Sequence, residues 1–577
     1  MKLQPLGDCV YRIPLDADPG EVGRGAPVWR GVRMGQLLGK ALEAEDWDGL
    51  QDVVPFQQGV ALYFREPLSP RREAELEALV ETLLPVVRAA DGSLEGGHTV
   101  EVPVWYGGEA GCDLEEVARR LGLSMDEVVT LHSQAEYGVE AIGFAPGFPY
   151  LSGLPERLHL PRRDTPRTRI PAGSVGIGGA QTGVYPLETP GGWNLIGRTP
   201  LRLFDPGRAE PSLLRVGDRV RFVPLEAGGA AWRVHAGGYD EGKGGLGGPG
   251  AEELEQAEHA VLEVLRPGMF TTVQDLGRPG YRAGGMTLGG AVDRFSLEVA
   301  NRMVGNDPDA AALEFTLVGP DLLFLRDTVV ALAGGSLAGW PAGQPVRVRK
   351  GQTLRLGVLE RGCRGYLAVA GGFGVPRVLG SRSTAVRAGF GGYRGRPLRA
   401  GDRLPLGRLG WRCAGPVCWR LEERLIFPSG SPVVVRVLRG THAHEFAPEA
   451  LAGEFRVGAQ SDRMGVRLEG VRLERMGGAE LRSMPVSPGV VQVPPDGHPI
   501  VLLADAQTLG GYPQLAHVVS ADLPRMAQVR PGETVRFEEV TLGQARELAR
   551  ERRRELGLVR LGLEAAGVEF LGKEGRE

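Results

Sequence analysis

Apolar and polar residues alternate along this chain with two periods, and the change from one to the other marks its parts. Val53-Val-Pro-Phe56 and Gly59-Val-Ala-Leu-Tyr-Phe64 are apolar runs of strand length. Pro70 to Ala90 instead repeats at three and four residues (Leu76, Leu79, Val80, Leu83, Leu84, Val87), which predicts an amphipathic helix on a small α+β domain. Asp113 to Leu121 reads as a short helix with an acidic first turn, and Ser124 followed by Glu127 predicts a capping box opening another. From Ala141 to Val223 strands and glycine turns take over. The tail from Leu542 to Ala566 is an Arg/Glu-rich helix that reads as a solvated packing element.

One pattern recurs four times: a glycine, a polar residue, then alternating apolar positions. The copies are Val216-Gly-Asp-Arg-Val-Arg-Phe222, Lys350-Gly-Gln-Thr-Leu-Arg-Leu356, Ala400-Gly-Asp-Arg-Leu-Pro-Leu406 and Pro531-Gly-Glu-Thr-Val-Arg-Phe537. Each reads as a turn delivering a strand to a half-buried sheet. The recurrence predicts related β-barrel domains, one in the first block and two in the second. Ala180-Gln-Thr-Gly-Val-Tyr-Pro186 and Ala506-Gln-Thr-Leu-Gly-Gly-Tyr-Pro513 echo each other as well. Residues 226–258, dense in glycine pairs, read as a flexible linker. The expected division is an N-terminal α+β domain at 1–95, a barrel at 96–225, the linker, barrels at 259–410 and 411–540, and a terminal helix at 541–577.

Composition narrows the function classes. The 577 residues carry 67 Lys plus Arg against 71 Asp plus Glu. A net charge of -4 lacks the basic excess of a nucleic-acid or membrane-surface binder. Five cysteines without a CxxC, and a start that lacks the uninterrupted apolar core of a signal peptide, predict a cytoplasmic protein. The basic residues are nearly all arginine; Lys2, Lys40, Lys243, Lys350 and Lys573 are the only lysines.

Familiar catalytic signatures are absent from the sequence: no Walker A loop, HExxH, GxSxG elbow or kinase set. The GxGxxG at Gly242, Gly244 and Gly247 follows no strand, so it does not read as a dinucleotide site. His442-Ala-His-Glu445 lacks a third ligand, and no metal site is expected. What remains are dense polar, glycine and aromatic segments. In the first block these are Phe144 to Tyr150, with Phe148, then Arg169 to Pro186, with Gly178, Gly179, Gln181, Thr182 and Tyr185, and Thr189 to Thr199, with Gly191, Gly192, Trp193 and Arg198. Their glycines would let a ligand approach backbone amides, and Arg198 suits a carboxylate or phosphate. The second block offers Gln274, Asp275, Arg278, Asp293, Asn306, Glu314, Arg382, Ser383, Arg463, Gln492, Asp505, Gln507, Thr508 and Tyr512. Asp293, Asp505 and Glu314 are candidate acids or bases, and Arg278, Arg382 and Arg463 candidate anion clamps. Mutual structural salt bridges are the alternative for these charges.

The run GFAPGFPYL, with RIPAGSVGIGGAQTGVYPLETPGGWNLIGRTP, resembles the KipI family, that of the 5-oxoprolinase B subunit and allophanate hydrolase subunit 1. The runs TTVQDLGRPGY, GAVDRFSLEVANRMVGN, LGSRST, SDRMG and VQVPPDGHPIVLLADAQTLGGYP resemble the KipA family, that of the 5-oxoprolinase C subunit and allophanate hydrolase subunit 2. The chain therefore looks like a fusion of the two. This resemblance implies a β-rich α+β fold with several cyclophilin-like β-barrels behind a small α+β N-terminal domain. It also implies ATP-dependent opening of 5-oxo-L-proline to L-glutamate, ATP with Mg²⁺ as co-substrate, and a separate A subunit as partner. On that picture Gln181, Arg198, Asp293, Asp505 and Gln507 are the expected catalytic set, Gln181 and Gln507 facing one cleft. Two other activities occur among such proteins: the carboxyltransferase part of urea carboxylase, and regulation of a sensor histidine kinase. None of the five lysines has the Met-Lys-Met context of a biotin carrier, so no covalent biotin is expected. Homo-oligomerisation is a further expectation.

Overall fold

The four glycines of the repeated pattern share a left-handed backbone, with φ of 98° at Gly217, 83° at Gly351, 86° at Gly401 and 90° at Gly532. A Cβ is disfavoured in that region, so glycine marks each turn and the alternating residues follow as strand. The computed structural model describes residues 3–15, 28–44, 47, 49–56, 59–89, 97–225, 260–407, 419–422, 425, 432–477, 481 and 483–568. The linker, its GxGxxG, Cys413 and Cys418 lie outside these.

The N-terminal sheet runs Gln4–Pro5, Val10–Pro14, Gly59–Phe64, Leu50–Phe56, all antiparallel. Helices α1 (Val28–Ala44) and α2 (Pro70–Ala89) cover it. Leu76, Val80 and Val87, three of the positions that predicted α2, are its buried residues and join Tyr11, Ile13, Leu38 and Leu62 in one core.

Seven strands between Thr99 and Pro224 close a barrel, and seven between Val433 and Glu539 close another. The two have the same topology. In each, the last strand lies parallel to the first (Val220 opposite Val100, Val535 opposite Val433), and every other pairing in the ring is antiparallel. Each also carries one two-stranded flap outside the ring: Arg167–Ile170 with Thr189–Gly191, and Met484–Pro485 with Leu509–Gly510. Two copies of the glycine pattern thus open the parallel closing strands of two equivalent barrels. In the first barrel, α3 (Leu114–Leu121) and α4 (Met125–Gln134) follow the opening strand, and the capping box of Ser124 and Glu127 forms as predicted.

The stretch 260–405 departs from the expected barrel. Its strands form a five-stranded sheet (Thr271–Gln274, Ala312–Thr316, Arg364–Val369, Thr328–Ala333, Val346–Val348) and a four-stranded one (Thr353–Arg355, Asp321–Phe324, Ala260–Arg266, Arg403–Pro405). Their edges meet at single bridges, Val318 with Val358 and Phe373 with Leu406, instead of a continuous ladder, and residues of both sheets fill one core. Helix α5 (Arg294–Met303) lies on the five-stranded sheet, with α6 (Leu523–Gln528) and α7 (Leu542–Ala565) beside it.

The parts are bound by buried polar contacts. Asp8 accepts from the Ser520 amide (3.0 Å) and hydroxyl (2.7 Å), and Asp52 accepts from the Arg282 amide at 3.0 Å. The terminal helix does more than sit in solvent: Arg546 reaches Glu73 of α2, and Arg552 stacks on Phe295 of α5 at 4.5 Å. Among the described residues no helix is long and apolar enough to cross a membrane.

Candidate functional site

Equivalent loops of the two barrels meet at a gap of about 40 Å³. The first barrel supplies Phe144, Ala145 and Pro146, with Leu187 and Thr189 from its flap; the second supplies Asp505 and Gln507, just before its own flap strand. The middle domain closes the gap with Arg278, Met286, Thr287 and residues 385–388. Phe144 holds its loop at φ 67°, a conformation uncommon outside glycine.

Arg278 is the buried cation of the gap. It is 1% exposed, one guanidinium nitrogen donates to the Ser383 carbonyl, and Nε and Nη1 have no hydrogen-bond partner among the described residues. Phe390 lies against the guanidinium at 5.2 Å. Burial pushes the Arg278 pKa down, against the pull of Asp275 and Asp505. A buried cation with open donors favours any oxyanion that reaches it. The loop beneath is fixed by Asp275, which accepts from the Ser381 and Ser383 hydroxyls and from the Gly277 and Arg382 amides.

Asp505 faces the gap and is held from behind. Arg463 donates to its two oxygens from Nε (2.8 Å) and Nη2 (3.0 Å), to the Gly290 carbonyl (2.7 Å) and to Glu314. Burial alone would raise the Glu314 carboxyl, but Arg463 and Arg364 hold it below the usual range. Glu314 also accepts from the Tyr366 hydroxyl at 2.8 Å. Arg463 and Glu314 are therefore an internal ion pair that orients Asp505. Thr189 Oγ1, buried at the gap, has no hydrogen-bond partner among the described residues. The arrangement can bind a carboxylate or phosphate oxygen on Arg278, with a fixed carboxylate and the Gln507 amide beside it.

Other expected residues sit elsewhere. Asp293 caps α5, accepting from the Ser296 amide (2.9 Å) and from Gln528 (2.8 Å); burial raises its pKa, and it lines neither cavity. Gln181 lies on a barrel strand with Nε2 3.3 Å from Glu140, so it does not share a cleft with Gln507. By topology Gln181 matches the strand Ile500–Leu502, and the echoed motif is displaced from it. Arg198 donates from Nε to the Ala172 carbonyl at 2.9 Å. The amides near Gly178 to Gly183 belong to a hairpin (Gln181 opposite Gly178, Gly183 opposite Gly176). Glycines of this hairpin and of the flap make room for aromatic rings: a Cβ on Gly178 would lie 2.9 Å from Trp193, and one on Gly191 2.5 Å from the Tyr185 hydroxyl. Phe148, Tyr150, Tyr185 and Trp193 form an apolar cluster that also buries Leu509 of the second barrel. Gly179 stands at an open position and Gly192 beside Pro166, both outside the two cavities.

Thr182 is buried between His132 (2.9 Å) and the Gly176 carbonyl (3.0 Å). Asn306 bonds Asn301 and the Val369 carbonyl, Gln274 bonds Thr272, and Arg382 donates to the Val375 carbonyl. Gln492 packs under Gly510, Thr508 is buried, and Tyr512 is exposed. His442 accepts from the Gln514 amide. Among the described residues no group of three or more His, Cys, Asp or Glu is placed to hold a metal.

Residues 284–539 match the family model described as carboxyltransferase domain, subdomain A and B, and residues 32–214 that described as subdomain C and D. The chain is 40% identical over 308 residues to the C subunit of 5-oxoprolinase from Escherichia coli K12, covering 51% of this chain and 96% of that protein. It is 50% identical over 183 residues to the B subunit of 5-oxoprolinase from Escherichia coli O157:H7, covering 32% of this chain and 82% of that protein. It belongs to the family of the 5-oxoprolinase B and C subunits, with both sequences on one polypeptide. The crystal structure of TTHA0988 superposes with a TM-score of 0.74 at 38% identity, covering 92% of this chain and all of that one. Urea amidolyase of Lachancea kluyveri is 36% identical over 317 residues, 50% of this chain and 17% of that enzyme.

Within this B and C fusion, two further polar liners of the gap, Arg387 and Thr287, lie outside the segments that the sequence marks as candidates. Arg387 stands four residues beyond Ser383, and only the fold shows that this turn bends back over Arg278. Leu509 carried no chemical signal at all.

Proposed function

We propose that this chain supplies the B and C components of an ATP-dependent 5-oxoprolinase, opening 5-oxo-L-proline to L-glutamate together with a separate A subunit. The observation that carries the reading is buried Arg278, with two unpartnered nitrogens, at the junction that only a B and C pair creates. The substrate is a lactam bearing a carboxylate, and Arg278 is the group to receive that charge. A lactam carbonyl is a poor electrophile. Transfer of the terminal phosphoryl group of ATP, as its magnesium complex, to the lactam oxygen releases ADP and activates the carbon. One water adds there and the ring nitrogen leaves; a second water releases phosphate, so two waters are consumed per ATP. Asp505, aligned by Arg463, is the group placed to orient water, and Gln507 to hold the lactam edge. A gap of about 40 Å³ holds only a few waters, so its walls must part to admit substrate.

The second reading, a urea-carboxylase-type carboxyltransferase, draws on the carboxyltransferase description of the matching models and on the urea amidolyase similarity. It requires a biotin carrier on another chain. The test is ADP release by the purified chain with and without the A subunit, given 5-oxoproline or urea. Release that needs both 5-oxoproline and the A subunit is expected. Release driven by urea with a biotinylated carrier would favour the second reading.

A further inference from the structure

The larger cavity, about 590 Å³, takes no part in the site above. It opens between the N-terminal domain, the middle domain with α5, the second barrel and α7, and seven arginines face only three acidic residues in its lining. Some of these arginines are poorly matched. Arg65 and Arg302 share Glu298 at 3.7 and 3.4 Å. Half-buried Arg294 makes one hydrogen bond, to the Leu276 carbonyl at 3.0 Å, and no ion pair among the described residues. Burial, followed by the charge of Arg65, pushes the Arg294 pKa down, a strain that a bound anion would relieve.

As they stand, this cavity alone of the two falls in the roughly 300–1,000 Å³ range of small-molecule sites, with room for a nucleotide. Leu288, Pro488 and Leu503 give this cavity an apolar wall against which a base can lie. The cavities share a partition one residue thick. Ala504 lines this one and Asp505 the gap, while a Cβ on Gly289, in the wall here, would stand 3.2 Å from Arg278 Nη1.

We infer that this cavity binds a nucleoside polyphosphate, its phosphates on Arg65, Arg294 and Arg302. The nucleoside part of this assignment rests on the oxoprolinase reading; the polyanion part does not. Two variants of the full chain test it. Arg294→Met removes the least matched charge. Gly557→Phe fills the cavity from α7, where a new Cβ meets no atom within 4 Å and a side chain improves helix propensity. Binding of ATP, inorganic triphosphate and adenosine is measured by calorimetry, each without the A subunit present. ATP should bind, triphosphate more weakly, adenosine not measurably, and each variant should weaken ATP by at least roughly tenfold. If Arg294→Met fails to fold, Gly557→Phe decides alone. Unchanged ATP affinity in folded Gly557→Phe, or no binding of ATP and triphosphate to the parent chain, overturns the assignment. Turnover on 5-oxoproline with unchanged affinities would keep the oxoprolinase reading and remove this site; lost affinity without any turnover would keep the site and remove that reading.

Discussion

A guanidinium that is almost wholly buried and half unpartnered is costly, and Arg278 bears that cost beside a carboxylate and an amide. Arg278→Lys keeps a charge but loses the planar donor array, so 5-oxoproline-dependent turnover should fall by roughly 10²-fold with the melting temperature little changed. Near-parental turnover would remove Arg278 from the site. Asp52 makes a different prediction. Burial pushes its carboxyl up to about 6, against the pull of Arg282. The folded state thus holds this proton more tightly than the unfolded one, and the stabilisation present below about pH 4 is lost as pH rises towards 6. Two units correspond to about 3 kcal/mol. Denaturant titrations of the parent and Asp52→Asn should show that fall in the parent only. At this scale the sequence was legible in part. Arg278, Asp505 and Gln507 do meet, but Asp293, Glu314 and Arg463 look identical to them in one dimension. A charged residue among apolar ones is either a capped, paired structural group or a site group, and only the placement of Ser296, Gln528 and Tyr366 decides which.

Among elements, the decisive contact is Leu509, on the flap of the second barrel, seated in the aromatic cluster of the first. Its Cγ lies 2.5 Å from where a Cβ on Gly143 would stand, so that glycine is a socket for the leucine. Leu509→Ala should destabilise the chain by about 3 kcal/mol, as deletion of a buried leucine does when the site cannot collapse. A denaturation midpoint within error of the parent would contradict this packing. Elements with strong periodicity or caps were readable beforehand: α2 from its leucines and valines, α4 from Ser124 and Glu127, and α7 from its Arg/Glu pattern. The glycine segment at 178–192 reads in sequence as a ligand cradle yet packs in part on aromatic rings, because a glycine that admits an indole ring and one that admits a ligand leave the same trace in sequence.

Over the whole molecule, the repeated glycine turns predict related barrels, and two barrels of identical strand order form at the copies at 217 and 532. The copies at 351 and 401 enter an open pair of sheets, whose edges touch only at single bridges, a long-range detail that no local pattern encodes. Nor could sequence foresee that equivalent loops of both barrels converge on one gap, since the residues from Phe144 to Gln507 meet there only after docking. On the proposed function, this junction couples ATP hydrolysis to lactam opening. Its most direct test is the ratio of glutamate formed to ADP released when the chain, the A subunit, ATP and 5-oxoproline are mixed. One glutamate for each ADP is expected, and neither product when 5-oxoproline or the A subunit is left out. ADP without glutamate, or glutamate without ADP, would contradict it.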